Sequence, residues 1–390
     1  SLEIFNDQFR AGLPRLVAQD GLRSLVALAD RARRNEPALN INLPSFPPPA
    51  VVERVEFVEF AAGQADAQVL EGFLASAGFR RAGQHRSKQV ALWRQGGANL
   101  LINSEPTGFA HSAWATHGTT VSEVALMVPD AAAAAGRALA LGAAPHLEAR
   151  GASELEIPAV RGMGGSVIRF LDRQSGLGRL WDIDFTLTDR ADGDAGVTGF
   201  DHLALTMVYD EMLSWSLFYT TLFEATRTPM VEVVDPQGLV RSQAVRSSGL
   251  RVTLNGAEAR RTLAGRFLEE TFGASVQHIA LATDDIFTAA AAMARRSFPF
   301  LRIGANYYSD LEARFGLDPA FTARLRAHDI LYDEDRDGRF FQFYSTVQAG
   351  GFFLEVTQRL AGYDGYGAPN APFRIAAQSR TSRPEGMPRS

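Results

Sequence analysis

Apolar and polar positions change period several times along the chain, and each change predicts an element. Leu2 to Phe5 is a short apolar run with Glu3 inside it, the pattern of a strand. From Leu13 to Arg34 apolar side chains recur at helical spacing, and arginines crowd the end, where they suit a helix dipole. A strand and a helix cannot bury a core alone, so residues 1–35 read as the end of a larger domain. Four prolines between Pro44 and Pro49 exclude helix and predict a stiff linker over 36–52. VERVEFVEFA then alternates with the two-residue period of a strand, and GFDHLALTMV near residue 200 also reads as a strand. Helical stretches follow at Val69–Ala77 and Glu211–Leu222. Midway, SEVALMVPDAAAAAGRALALG answers VQHIALATDDIFTAAAAMARR. Both predict a strand, an acidic residue able to cap a helix, and an alanine-rich helix. Near each end GLGRLWDIDF answers GGFFLEVTQR, read as a last strand with a carboxylate at the same place. A repeat of roughly 150 residues is a domain duplication. The modules span 53–190 and 198–380, with a junction rich in Asp and Gly between them and a polar tail over 381–390. The expected fold is α+β, with paired βαβββ units curling into a half-open barrel in each module.

Composition narrows the chemistry. The 390 residues carry 39 basic and 44 acidic side chains, a net charge of −5, which gives no argument for nucleic acid or an anionic membrane as partner. No apolar run approaches the ~18–20 residues of a membrane helix. The opening residues lack a basic start and a long apolar stretch, so the expectation is a cytoplasmic protein without a signal peptide. The absence of cysteine excludes disulfides, thiolate metal sites, Fe–S clusters and cysteine nucleophiles. Lys88 is the only lysine, in Arg86-Ser87-Lys88-Gln89, a poor context for phosphate-loop or Schiff-base chemistry. Gly162 to Gly165 (GMGG) and Asp333 to Gly338 (DEDRDG) read as turns between strands. Ser309 to Glu312 reads as a capping box that opens a helix from Leu311 to Phe315.

Three side chains of the second module stand out. His202, His278 and Glu355 lie on three separate strands, 76 and 77 residues apart. Two histidines and a carboxylate on one face of iron leave three positions open, two for a 2-oxo acid and one for dioxygen. Each histidine taken alone is more often a hydrogen-bonded core residue than a ligand. The answering positions of the first module are Phe57, Glu123 and Asp182, so that module is expected to hold no metal and to serve as a structural or dimerising half. His85, His111, His117, His146 and His328 have no such pairing and are expected at the surface or in hydrogen bonds.

The stretches FDHLAL, VQHIALATDDIF, NYYSDLEARFGLD, HDILYDEDRDGRFFQFYS, FFLEVTQR and GYDGYGAPNAPFRIAAQ cover most of 198–378 in order. Through them the second module resembles the catalytic half of 4-hydroxyphenylpyruvate dioxygenases, two-module members of the vicinal-oxygen-chelate superfamily. THGTTVSEVALMV links the first module to that family's degenerate half. The resemblance implies Fe(II), or another divalent metal such as Mg, Mn or Co, held by His202, His278 and Glu355. It implies oxidative decarboxylation of an aromatic 2-oxo acid by dioxygen, followed by ring hydroxylation. Ser242, Asn255, Gln277, Gln342, Phe353 and Asn370 match pocket residues of the family; Gln277 and Gln342 would orient the substrate and Phe353 pack on it. Leu263, Tyr344, Tyr366 and Ala371 depart from the usual glutamine and phenylalanines, which implies a larger, more polar pocket. Association into a homo-oligomer is the family expectation. The segment from Ser1 to Asp7, followed by a helix with DGLRSL, resembles the last strand and helix of a xylose-isomerase-like TIM barrel. Such barrels occur fused to dioxygenase-like modules in bacterial 3-dehydroshikimate dehydratases, where the residue matching Glu3 is a metal ligand. The alternative expectation is therefore the C-terminal portion of a dehydratase that forms protocatechuate.

Overall fold

The computed structural model describes residues 20–27, 46–188 and 194–381. The expected strand with Glu3, most of the helix and linker after it, residues 189–193 and the tail from 382 lie outside the described residues. Residues 20–27 are helical. They bury Val26 and set the Arg23 guanidinium 5.0 Å from the ring centre of Phe218, on the helix Tyr209–Leu222.

Two curled sheets make up the rest of the α+β fold. The first contains β1 (Arg54–Ala61), β2 (Arg80–His85), β3 (Val90–Gln95), β4 (Ala98–Asn103), β5 (Thr120–Met127), β6 (Ala159–Arg161), β7 (Val167–Leu171) and β8 (Phe185–Leu187). Its order is β6-β7-β5-β1-β4-β3-β2-β8. The second contains β9 (Val197–Val208), β10 (Thr226–Arg227), β11 (Val231–Asp235), β12 (Gly238–Arg246), β13 (Arg251–Ala257), β14 (Ser275–Thr283), β15 (Leu331–Glu334), β16 (Gly338–Tyr344) and β17 (Phe353–Ala361). Its order is β10-β12-β13-β9-β14-β17-β16-β15, with β11 paired to β12.

Strand pairing repeats from one sheet to the other. β1 runs parallel to β4 and antiparallel to β5, as β9 does to β13 and β14. β5 runs parallel to β7, as β14 does to β17. The strands are rich in β-branched and aromatic residues, and both faces of the central ones are buried. The acidic caps are present in both copies. Asp130 accepts from the Ala133 amide, and Asp285 from the amides of Phe287 and Thr288.

The two sheets share one hydrophobic core, in which Phe60 and Phe73 of the first module meet Phe352 of the second. Two glycine turns lock the seam. Gly164 (φ +61°) lies against the backbone of Ala274, and Gly350 (φ +78°) against that of Thr119. A Cβ at either would overlap a carbonyl oxygen of the other module, so only glycine fits. That is the structural use of GMGG. Among the described residues no helix is long and apolar enough to cross a membrane.

Three local expectations need correction. GLGRLWDIDF is not a last strand: it forms a 3-10 turn over Leu177–Arg179 and a short helix over Leu180–Ile183. The strand that answers β17 is β7, because β7 alone repeats the parallel pairing to β5. Ser309 does not cap a helix. It lies inside the helix Ala305–Phe315, which begins after Gly304. The first-module helix likewise starts earlier than its apolar spacing shows, at Gln64.

Candidate metal centre

The geometry of β9, β14 and β17 places the three candidate ligands. These strands are neighbours, and Ala280 of β14 is in register with His202 on one side and Glu355 on the other. His278 lies two residues from Ala280, so strand alternation turns it to the same face. His278 Nε2 is 3.1 Å from a Glu355 oxygen, His202 Nε2 is 3.4 Å from it, and the two Nε2 atoms are 3.3 Å apart. Facial ligands with bonds of about 2.1 Å and mutual angles near 90° lie about 3 Å apart. The triangle therefore fits a divalent transition metal.

Bonding around the triangle supports that fit. His202 Nδ1 is 2.7 Å from Asp201, whose carboxylate receives two hydrogen bonds from Arg359, at 2.7 and 2.9 Å. A proton held at Nδ1 leaves the Nε2 lone pair directed at the centre. The second Glu355 oxygen is buried without a partner. All three residues are buried. Burial disfavours charge on His202, yet Glu355 and Asp201 raise its pKa; burial lowers that of His278. Burial raises Glu355, and the histidines more than reverse this, so it stays an anion below the usual carboxylate range.

A cavity of about 90 Å³ opens over the triad. Ser242, Asn255, Gln277, Tyr344 and Tyr366 line it, as do Leu263 and Ala371. Ser242 donates to Asn255 and Thr206 to Gln277, each at 2.8 Å. The buried Tyr366 hydroxyl has no partner. Gln342, Phe353 and Asn370 are not brought to this wall. Gln342 lies behind Gly367 with its amide unpartnered, and Phe353 stacks on His278 with ring centres 4.9 Å apart. The Asn370 amide is engaged by the Tyr307 hydroxyl and the Tyr332 carbonyl. Sequence reasoning gave Asp201, Arg359 and Arg374 no role. The first two carried a signal: a carboxylate beside His202, and an arginine four residues after Glu355, hence on the same strand face.

The first module holds a larger cavity, about 540 Å³. Ala125 takes the place of Ala280, flanked by Phe57 of β1 and Arg169 of β7. Glu123 answers His278. Arg169, not Asp182, thus answers Glu355, because β7 and not the later helix is the equivalent strand. Arg169 makes a two-point ion pair with Glu123 and reaches Glu148 at 3.0 Å. Glu123, Glu148 and buried His146 come close enough together to surround a cation, but Arg169 already occupies both carboxylates.

A family model described as hydroxyphenylpyruvate dioxygenase, N-terminal, matches residues 46–186. A 3-dehydroshikimate dehydratase of Pseudomonas aeruginosa is 41% identical over 98% of this chain and 62% of its own length. A 4-hydroxyphenylpyruvate dioxygenase of a Pseudomonas species is 33% identical, over 81% of this chain and 90% of its own. A solved xylose isomerase-like TIM barrel/4-hydroxyphenylpyruvate dioxygenase fusion protein superposes with a TM-score of 0.82 at 38% identity, covering 93% of this chain and 59% of that one. The chain thus spans about three fifths of the dehydratase and of the fusion protein.

Proposed function

The chain belongs to the 4-hydroxyphenylpyruvate dioxygenase family, and on that premise we propose that it is the dioxygenase-like portion of a 3-dehydroshikimate dehydratase. In this reading residues 53–190 and 198–380 are its two modules, 36–52 the linker and 1–35 the end of the dehydratase barrel. Its own site, His202, His278 and Glu355, holds a divalent metal and captures a small ligand through two oxygens. The observation that favours the dehydratase setting is coverage: that relative matches 98% of the chain at 41% identity, against 81% at 33% for the dioxygenase.

The metal would supply Lewis-acid polarisation of the ligand and, as Fe(II), a place for dioxygen. The chain's residues do the rest. Asp201 and Arg359 fix the tautomer of His202. Ser242, Asn255 and Gln277 offer hydrogen bonds to the ligand from one wall, and Tyr366 adds a free hydroxyl. Phe353 fixes the plane of the His278 ring from behind.

A second reading, oxidative decarboxylation and hydroxylation of 4-hydroxyphenylpyruvate by Fe(II), rests on the facial triangle of donors. Oxygen uptake separates the two. The expected result is about one metal ion per chain, lost in His278→Ala, with no uptake on 4-hydroxyphenylpyruvate. Uptake with matching carbon dioxide release, abolished in His278→Ala, would make the second reading the right one.

A further inference from the structure

The cavity over the triad contains a cation that none of the expected chemistry uses. Arg374 projects from the helix Ala371–Thr381 into the same cavity as His202, His278 and Glu355. Its guanidinium carbon lies 5.6 Å from the ring centre of Tyr344 and 5.3 Å from that of Phe353. The Phe353 ring stacks in turn on His278, and the Arg374 charge is felt there, where it helps to lower the histidine's pKa.

The partners of Arg374 are few. It donates one hydrogen bond, to the neutral Gln378 amide at 2.6 Å. Among the described residues no carboxylate pairs with it. Arg359 and Arg169, by contrast, are clamped to carboxylates, Asp201 and Glu123 respectively. The one other carboxylate on this wall, Asp235, is used by the backbone amides of Gln237 and Leu263, at 2.8 and 2.9 Å. A half-buried cation without a counter-ion is costly unless something else supplies the negative charge.

We propose that Arg374 is the anchor for a carboxylate on the ligand of the metal site, and that this ligand is a compact ring carrying two adjacent oxygens plus a separate carboxylate. The inference rests on the metal-site reading above. Two oxygens go to the metal and the carboxylate goes to Arg374. A divalent ion beside one glutamate leaves one positive charge, and Arg374 adds a second, so a dianion balances the cavity. An aryl 2-oxo acid uses its own carboxylate in chelation and leaves Arg374 unpaired. Dehydration of 3-dehydroshikimate, a ring carboxylate, gives a dihydroxybenzoate of just this class. The site would then take the product of the reaction named for the dehydratase relatives.

Calorimetric titration of the cobalt-loaded chain with 3,4-dihydroxybenzoate and with catechol tests this. Charge-assisted pairing predicts that the carboxylated probe binds at least about tenfold more tightly. Arg374→Leu should abolish that difference while leaving catechol affinity and cobalt content unchanged, and Arg374→Lys should restore part of it. Equal affinities, weakening of both probes alike, or binding of neither probe to cobalt-loaded protein would overturn the proposal. Failure to bind cobalt, or cobalt retained in His278→Ala, would instead overturn the metal-site reading.

Discussion

At the scale of single residues, Asp201 decides how well the proposed metal site is preset. Burial alone would raise its carboxyl, yet hydrogen bonds with His202 and from Arg359 hold it well below the usual range. It stays a carboxylate, and its hydrogen bond keeps the His202 proton on Nδ1. Asp201→Asn retains the size but offers Arg359 a neutral partner and can turn its amide donor toward His202. Metal affinity should fall roughly 10–100-fold, read by competition with a chelator; an unchanged affinity would remove Asp201 from the site. In the first module Glu59 gives a pH signature. Burial and the nearby Glu123 push its pKa up to about 8 from 4.5, while Asn103 donates to it at 2.9 Å. The folded chain then keeps a proton that the unfolded chain has released, so stability falls as pH rises from 4.5 to 8. Glu59→Gln keeps an acceptor for Asn103 and has no proton to lose. It should flatten the decline in melting temperature between pH 5 and 9 and be more stable at the alkaline end by a few kcal/mol. Parallel pH profiles for the two proteins would count against the assignment.

At the scale of elements, register carries the site. Ala280 lies between His202 and Glu355 and points to the same face, so the space for an ion depends on a small side chain there. Ala280→Leu should crowd that space at a cost of about 1–3 kcal/mol, enough to lower metal affinity roughly 5–150-fold, with β-sheet content unchanged by circular dichroism. Strands such as β1, β9 and β14 were legible in the sequence because two-residue alternation, or a short apolar run bounded by turn residues, marks a strand. The triad was legible because each ligand interrupts such a run. The pairing that brings β17 beside β14 is a long-range choice and leaves no local mark. Chain order therefore suggested Asp182 as the counterpart of Glu355, where strand pairing puts Arg169. The start of Ala305–Phe315 was hidden for a different reason: Gly304 caps it without a side-chain hydrogen bond, while Ser309 and Glu312 imitate a cap one turn inside. Arg374 was unreadable because its meaning comes from the rings of Tyr344 and Phe353, which arrive from two other strands.

At the scale of the whole molecule, one fold unit occurs twice, and the two copies place different charges at their centres. Equivalent positions carry histidine, histidine and glutamate in the second module and phenylalanine, glutamate and arginine in the first. Moving a cation onto the scaffold, as Arg169, supplies from within what a metal would supply in the second module: positive charge beside a buried carboxylate. The first module thus carries its own counter-charge, and metal analysis of the whole chain should give one equivalent and not two. The same logic makes Arg169 structural. Arg169→Leu strands the buried Glu123 carboxylate without its partner, which costs about 3–5 kcal/mol. Because the two sheets share one core and interlock at Gly164 and Gly350, that loss should appear as a lower midpoint of a single denaturation transition, not as melting of one module. Metal content at the second module should stay at one equivalent under native conditions. A second equivalent appearing in Arg169→Leu, at Glu123, Glu148 and His146, would show instead that the arginine had been holding a metal site closed.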